Sequence, residues 1–271
     1  MKTRIIAAGV LLPLLLLIVL VLPTICTAIL FGLIVAIGAY ELLWGTGLVK
    51  HPRLTAYSAV MAFLTAIASH YGLPYPYVLI GVLLFVAVLY GEMLASKGQL
   101  AYEKLLVCLS GGVLIPFMLC ALVRLHCSEN GRFLILIPFV LAFLSDTGAY
   151  FVGCKFGKHK LAPVISPKKS IEGVVGGVLG AILGMVIYCL VLDIAFGFTV
   201  NYLYALIYGL LGSLAAVFGD LSFSAIKRQV GIKDYGNLIP GHGGVLDRFD
   251  SMSVVAPLTE ALLLLIPVVV K

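Results

Sequence analysis

The sequence predicts an all-α, polytopic integral membrane protein of about nine transmembrane helices, with cytoplasmic polar loops that form its active site. Three observations lead there. Only 11% of the 271 residues are charged and 62% are hydrophobic, whereas a soluble domain is about a quarter charged. The mean hydropathy is +1.16, and apolar runs of about twenty residues, enough to cross about 30 Å of hydrocarbon, recur along the chain. Lys and Arg fall on alternate connections, the pattern that orients helices with their basic loops inside.

The apolar runs lie at 5–22, 24–44, 54–72, 76–95, 104–126, 132–154, 171–196, 201–228 and 249–270. The first two are almost continuous, but together they are too long for one crossing, and Pro23 in "VLPTICTA" supplies a turn. "MKTR" before "IIAAGVLLPLLLLIVLVL" also has the outline of a signal peptide. No small-x-small cleavage site follows, so the segment is expected to be retained.

Nine crossings put Lys2, Arg4, Lys50, Arg53, Lys97, Lys104, the lysines from Lys155 to Lys169, Lys227, Arg228, Lys233 and Arg248 on one side. Only Arg124, Arg132 and Lys271 fall on the other. The N-terminus is then inside and the C-terminus outside. Residues 1–130 form an N-terminal region of about five helices. Residues 131–271 form a catalytic region of about four, with cytoplasmic loops 155–170 and 228–248. The formal charge of +6 is explained by inner loops on anionic headgroups, with no nucleic acid as partner. The six cysteines form no CxxC pair and read as small buried hydrophobes.

Polar groups inside the bilayer are costly and mark function. Asp146 in "LAFLSDTGAYFVGCKFG" stands about two turns above the inner end of its helix, with Tyr150, Gly153 and Gly157 on the same face. The alternative is a single Asp satisfied by a neighbouring helix. Ser213, Asp220, Ser224 and Lys227 form a stripe down the eighth span, read as a site lining or as a structural Asp220–Lys227 pair. In "KFGKHKLAPVISPKKSIEG", Pro163 and Pro167 stop helix formation. Ser170 is a good N-cap, and Glu172 lies in the first turn beyond it. A helix start beside Lys168 and Lys169 suits a phosphate, whereas Lys155, Lys158 and Lys160 read as ordinary inner-face anchors.

The densest polar stretch is "SAIKRQVGIKDYGNLIPGHGGVLDRFDS", Ser224 to Ser251. It has no P-loop order, no HExxH and no Cys/His zinc spacing. It offers hard oxygen ligands, Asp220 just before it and Asp247, Asp250 and Asp234 within it, beside many cations. Carboxylates of this kind hold Mg²⁺ that shares its shell with phosphates, and the glycines of "PGHGG" allow close approach to a ligand. The residues point to phosphoryl or nucleotidyl transfer at the inner membrane face.

The same stretch resembles the signature of the phosphatidate cytidylyltransferase (CDP-diacylglycerol synthase) family: S-x-apolar-K-R, four residues, K-D, then P-x-H-G-G-apolar-x-D-R-apolar-D. "SDTGAYFVGCKFGKHKLAPVISPKKSIEG" is similar to a second segment of that family. The resemblance covers residues 132–260, and the first 130 match only as hydrophobic helices. It implies transfer of CMP from CTP to phosphatidic acid with release of pyrophosphate, Mg²⁺ dependence with one or two ions, and a bacterial plasma membrane location among lipids. It implies that Asp220 and Asp247 hold metal, and that Lys168, Lys169, Lys227, Arg228 and Arg248 contact phosphates. The candidate catalytic residues are Asp146, Asp220, Lys227, Arg228 and Asp247. The candidate substrate-binding residues are Ser166, Lys168, Lys169, Ser170, Glu172, Ser224, Lys233, Asp234, His242 and Arg248. A secondary transporter would show two related halves, and a CTP-dependent lipid-alcohol kinase lacks the full match around "HGGVLDR". The ladder Gly173, Gly177, Gly180, Gly184 serves packing within one chain or between the two copies of a homodimer.

Overall fold

The computed structural model describes residues 9, 13–238 and 243–270. The helices are α1 (13–20), α2 (Thr24–Gly45), α3 (Pro52–Tyr71), α4 (Tyr75–Ala95), α5 (Tyr102–Cys127), α6 (Gly131–Phe156), α7 (Ile171–Phe196), α8 (Tyr202–Gln229), the short α9 (Leu246–Phe249) and α10 (Met252–Leu265). Each of the nine apolar runs overlaps a helix. Among the described residues six helices, α2 and α4–α8, are long and apolar enough to cross a membrane. α3 has the length, at 20 residues, but carries Arg53, Thr55, Ser58, Thr65, Ser69 and His70. α10 has 14 residues and rises only about 21 Å at 1.5 Å per residue. The ninth run is thus divided: α9, a turn at Asp250–Ser251, α10 and then a strand, with Pro267 unable to prolong the helix.

Prolines and glycines set the helix boundaries. Pro52 and Pro76 occupy first turns, where a missing N–H costs nothing. Gly72 and Gly197 end α3 and α7 in the left-handed region, at φ 55° and 67°. α2 widens into a π turn over Glu41–Gly45, and α5 does the same over Ser110–Leu114.

The chain packs as two compact units, Met1–Arg132 with Gln229–Phe249, and Phe133–Arg228 with Asp250–Lys271. The stretch Gln229–Phe249 belongs to the first unit. That stretch packs with the N-terminal unit, because backbone amides of Val245 and Leu246 are held by Glu41 on α2. In the first unit Phe31, Leu43, Leu54, Leu105 and Leu122 are fully enclosed, and α4 is the least enclosed of the six long helices.

In the second unit α6 and α7 form a glycine seam. A Cβ on Gly176, Gly177, Gly180 or Gly184 would strike Val152, Ser145 or Leu144 of α6. The ladder is therefore used within the chain, where small residues let two backbones approach. Ser145 and Ser213 share a hydrogen bond of 2.8 Å at the centre of the unit. The outer faces remain apolar, with Leu179, Leu183, Ile187 and Ile194 exposed along α7, as a lipid-facing surface requires.

Two antiparallel pairs complete the second unit. β1 (Lys160–Ala162) pairs with β2 (Ser166–Ser170), and β3 (Thr199–Val200) with β4 (Val269–Val270). The "SPKKS" segment is thus a strand that runs directly into α7.

Candidate functional site

In the second unit a cavity of about 430 Å³ opens between α6, the β1–β2 hairpin, α7 and α8. Asp146, Tyr150 and Gly153 line it from α6, at the helical spacing that puts them on one face. Lys160, Lys168, Lys169 and Ser170 line it from the hairpin, and Val217 from α8. Three lysines share this one cavity, a lining that suits an anion. Lys160, expected to be an ordinary anchor, belongs to it, because strand pairing carries Lys160 opposite Ser170.

Local structure fixes this hairpin. Ser170 is extended (φ −124°, ψ 156°), and its Oγ accepts from Gly173 N at 3.1 Å, capping α7. Glu172 is engaged by the start of the hairpin: its carboxylate accepts from the amides of Lys158 and His159 and meets His159 Nδ1 at 2.6 Å. It fastens the start of the hairpin to the first turn of α7. Arg228 Nε donates to Ile165 O at 3.2 Å, holding the far end. Ser166 pairs with Ala162 in the strand register.

Asp220 stands half-exposed on α8. Its Oδ2 meets Lys169 Nζ at 2.7 Å, and its Oδ1 accepts from Ser224 Oγ at 3.1 Å. Lys227, read with Asp220 as a site lining or as a structural pair, is buried, and its charge acts on Asp250. Asp250 lies in the turn between α9 and α10, outside the long apolar helices. Burial first, and then the Asp220 carboxylate, push its carboxyl up to about 7, with Lys227 opposing. Asp146 adds to that repulsion. Among the described residues no group of three His, Cys, Asp or Glu comes together as a complete metal cage, so a cation held here would need ligands from elsewhere. Mg²⁺ commonly takes them from substrate phosphates and water.

The first unit holds the rest of the predicted set. Asp247 is buried, and its Oδ2 accepts from Tyr235 N at 2.8 Å and Gly244 N at 2.9 Å. Lys233, Asp234 and Arg248 are exposed. His242 lies outside the described residues. The glycines of "HGG" were expected to admit a ligand. Gly244 instead admits a protein carboxylate: a Cβ there would sit 2.5 Å from Glu41 Oε1.

Sequence reasoning missed Glu41. A signal was present, since Glu41 is the only charged residue between Arg4 and Lys50. It is 4% exposed and accepts from Val245 N and Leu246 N, each at 2.9 Å.

A model of the cytidylyltransferase family matches residues 2–266. The chain is similar to phosphatidate cytidylyltransferases of Staphylococcus haemolyticus, at 42% identity over 136 residues, and Staphylococcus aureus, at 43% over 136 residues. Each match covers 50% of this chain and 51% of the relative. One from Staphylococcus epidermidis is 42% identical over 137 residues, 51% of each chain. The chain thus spans about half the length of the curated relatives it matches.

Proposed function

The chain belongs to the cytidylyltransferase family, and from that premise we propose that it transfers CMP from CTP to phosphatidic acid. The products are CDP-diacylglycerol and pyrophosphate, made for phospholipid synthesis. The observation that carries the reading is the cavity lined by Lys160, Lys168 and Lys169 among apolar helices, with Lys169 paired to Asp220. A lipid phosphate and a nucleotide triphosphate both need such cations beside hydrocarbon.

A phosphatidate oxygen attacks the α-phosphorus of CTP, and the bond from that phosphorus to the β-phosphate oxygen breaks. No covalent enzyme intermediate is required. The lysines neutralise phosphate charge and hold the reactants in line, so catalysis is positioning plus electrostatic stabilisation. Asp220 aligns Lys169 through the 2.7 Å pair. The hairpin, fastened by Glu172 and Arg228, keeps the lysines from collapsing onto lipid headgroups. The carboxylates of this unit fit a divalent cation, with Asp220 and Asp250 as the residues that would hold Mg²⁺. Asp247 remains a ligand candidate on the strength of its motif. A bound Mg²⁺ would supply charge neutralisation on the phosphates.

We place the site at the inner face of a bacterial plasma membrane, with nine crossings, the N-terminus inside and the C-terminus outside; the ninth crossing begins beyond the Asp250–Ser251 turn, with α10. The basic loops support this orientation. Single cysteines at Lys158 and Asn237 should react only from the cytoplasmic side. Glu129 is the outer probe of choice, since a Cβ on neighbouring Gly131 would overlap the His126 carbonyl. Labelling of Asn237 from outside intact cells would overturn the orientation.

The activity is tested with the purified full chain in detergent, given CTP, Mg²⁺ and phosphatidic acid, by following pyrophosphate and CDP-diacylglycerol. Turnover of a polyprenol with release of CDP, and none of phosphatidic acid, would identify a lipid-alcohol kinase instead.

A further inference from the structure

We infer that Glu41 is a positioning residue for this reaction: its carboxylate fixes the backbone of the loop Gly243–Phe249, and with it the side chains of Asp247 and Arg248. The inference rests on the proposed transferase reading for its catalytic consequence, but the clamp stands on geometry of its own.

A carboxylate buried at the end of an apolar helix is expensive unless its oxygens are satisfied. Glu41 satisfies both. Oε1 accepts from Val245 N and Oε2 from Leu246 N, each at 2.9 Å and across more than two hundred residues of sequence. The preceding amide, Gly244 N, goes to Asp247 Oδ2 at 2.9 Å. Three consecutive amides of the signature loop are therefore held by two carboxylates. These three amides are already engaged, so the conformation itself is what this part of the motif supplies.

The backbone approaches the clamp closely. A Cβ on Gly236 would lie 2.6 Å from Glu41 Oε1, and one on Gly45 would lie 2.8 Å from Tyr235 O. Gly243 has φ +84°, where a side chain would be strained. The π turn Glu41–Gly45 marks the same place on α2, as such turns often do at functional sites. A side chain that merely filled space would not need two acceptors aimed at two amides. The loop it orders carries Asp247, and through that residue the clamp would bear on the reaction.

Glu41→Gln tests this, since it keeps the volume and removes one acceptor. Hydrogen–deuterium exchange on the full chain in detergent should show the Val245–Leu246 amides exchanging about 10–100-fold faster, as expected for a lost hydrogen bond to a charged group. Exchange over residues 24–40 should be unchanged. The kcat for CMP transfer should fall about 100-fold, as for an ångström-scale misplacement, with a smaller change in KM for CTP. Gly244→Ala attacks the same contact from the other side and should reproduce both effects; it is the variant to read if Glu41→Gln does not insert. Unchanged exchange at Val245–Leu246 overturns the clamp. Faster exchange with unchanged kcat overturns the positioning role. If the wild-type chain transfers no CMP, the transferase reading fails and the catalytic role with it, while exchange still decides the clamp.

Discussion

Asp220 and Glu41 are both carboxylates on long apolar helices, one in each unit, and they meet opposite kinds of partner. Glu41 is almost wholly enclosed and faces two backbone amides. Asp220 is about 30% exposed at its side chain and faces a lysine and a serine hydroxyl beside an open cavity. Backbone amides are obligatory donors that cannot leave, so a carboxylate given to them is spent on shape. A lysine on a hairpin can exchange its carboxylate for a substrate phosphate, and that carboxylate can then take up a cation. Asp247 stands between the two cases, in the signature motif yet with one oxygen given to two amides.

The largest expected effect breaks this comparison at both ends. Asp220→Asn and Asp247→Asn should each abolish turnover, by orders of magnitude, since each 1.36 kcal/mol of barrier is a factor of ten. They should differ in stability. Asp247→Asn weakens hydrogen bonds to two buried amides and should cost about 1–3 kcal/mol. Asp220→Asn loses a partly screened ion pair and should cost less than about 1 kcal/mol. Thermal unfolding in detergent, read beside pyrophosphate release, separates the two. Near-normal turnover of either variant removes that residue from the site.

A smaller effect sharpens the lysine side. Lys169 holds Asp220 whereas Lys168 is exposed beside it. Lys169→Gln should raise KM for CTP and lower kcat by about tenfold, the scale of one lost charge-assisted contact. Lys168→Gln should do so by only a few-fold, with orientation intact in both. Sensitivity to salt should also fall, since screened contacts are gone. A CTP series at two ionic strengths checks this. Unchanged kinetics for the double variant would return both lysines to surface anchoring.

The same contrast explains what was legible in the sequence. Apolar run length revealed the helices because a bilayer imposes about twenty residues whatever the tertiary fold. Asp146, Tyr150 and Gly153 were legible because helical spacing is local. The Ser170 cap was legible because its hydrogen bond closes within three residues. The Glu41 clamp was hidden, since its partners lie beyond two hundred residues away. Lys160 was read as an anchor from hydropathy alone, and its place in the cavity lining follows from strand pairing across a proline-containing turn. Asp250 could be named as an oxygen ligand, but its nearness to Asp220 needed the turn between α9 and α10.

The smallest effect concerns Asp250. The folded chain holds its carboxyl proton up to about 7, against 3.8 for the ordinary group. Burial is the first cause and the Asp220 carboxylate the second; the Ser251 amide, which donates to Asp250 Oδ1 at 2.7 Å, and Lys227 oppose them, and Asp146 adds. The folded state therefore binds this proton more tightly than the unfolded state. Its contribution to stability is fully present below about pH 4 and is lost as pH rises to about 7. Asp250→Asn has no such proton to lose. With a chelator present, the wild-type melting temperature should drop between pH 5 and pH 8 by a few degrees more than that of Asp250→Asn, roughly the scale of a 1 kcal/mol change. Other titrating groups are common to both proteins and cancel in the difference. Adding Mg²⁺ at pH 8 should restore the wild type and leave Asp250→Asn where it was, because a cation beside Asp220 and Asp250 replaces the missing proton. Parallel pH curves would show that the two carboxylates do not repel one another. An equal response of both proteins to Mg²⁺ would remove Asp250 from the cation's ligands and leave Asp220 to hold it with the substrate.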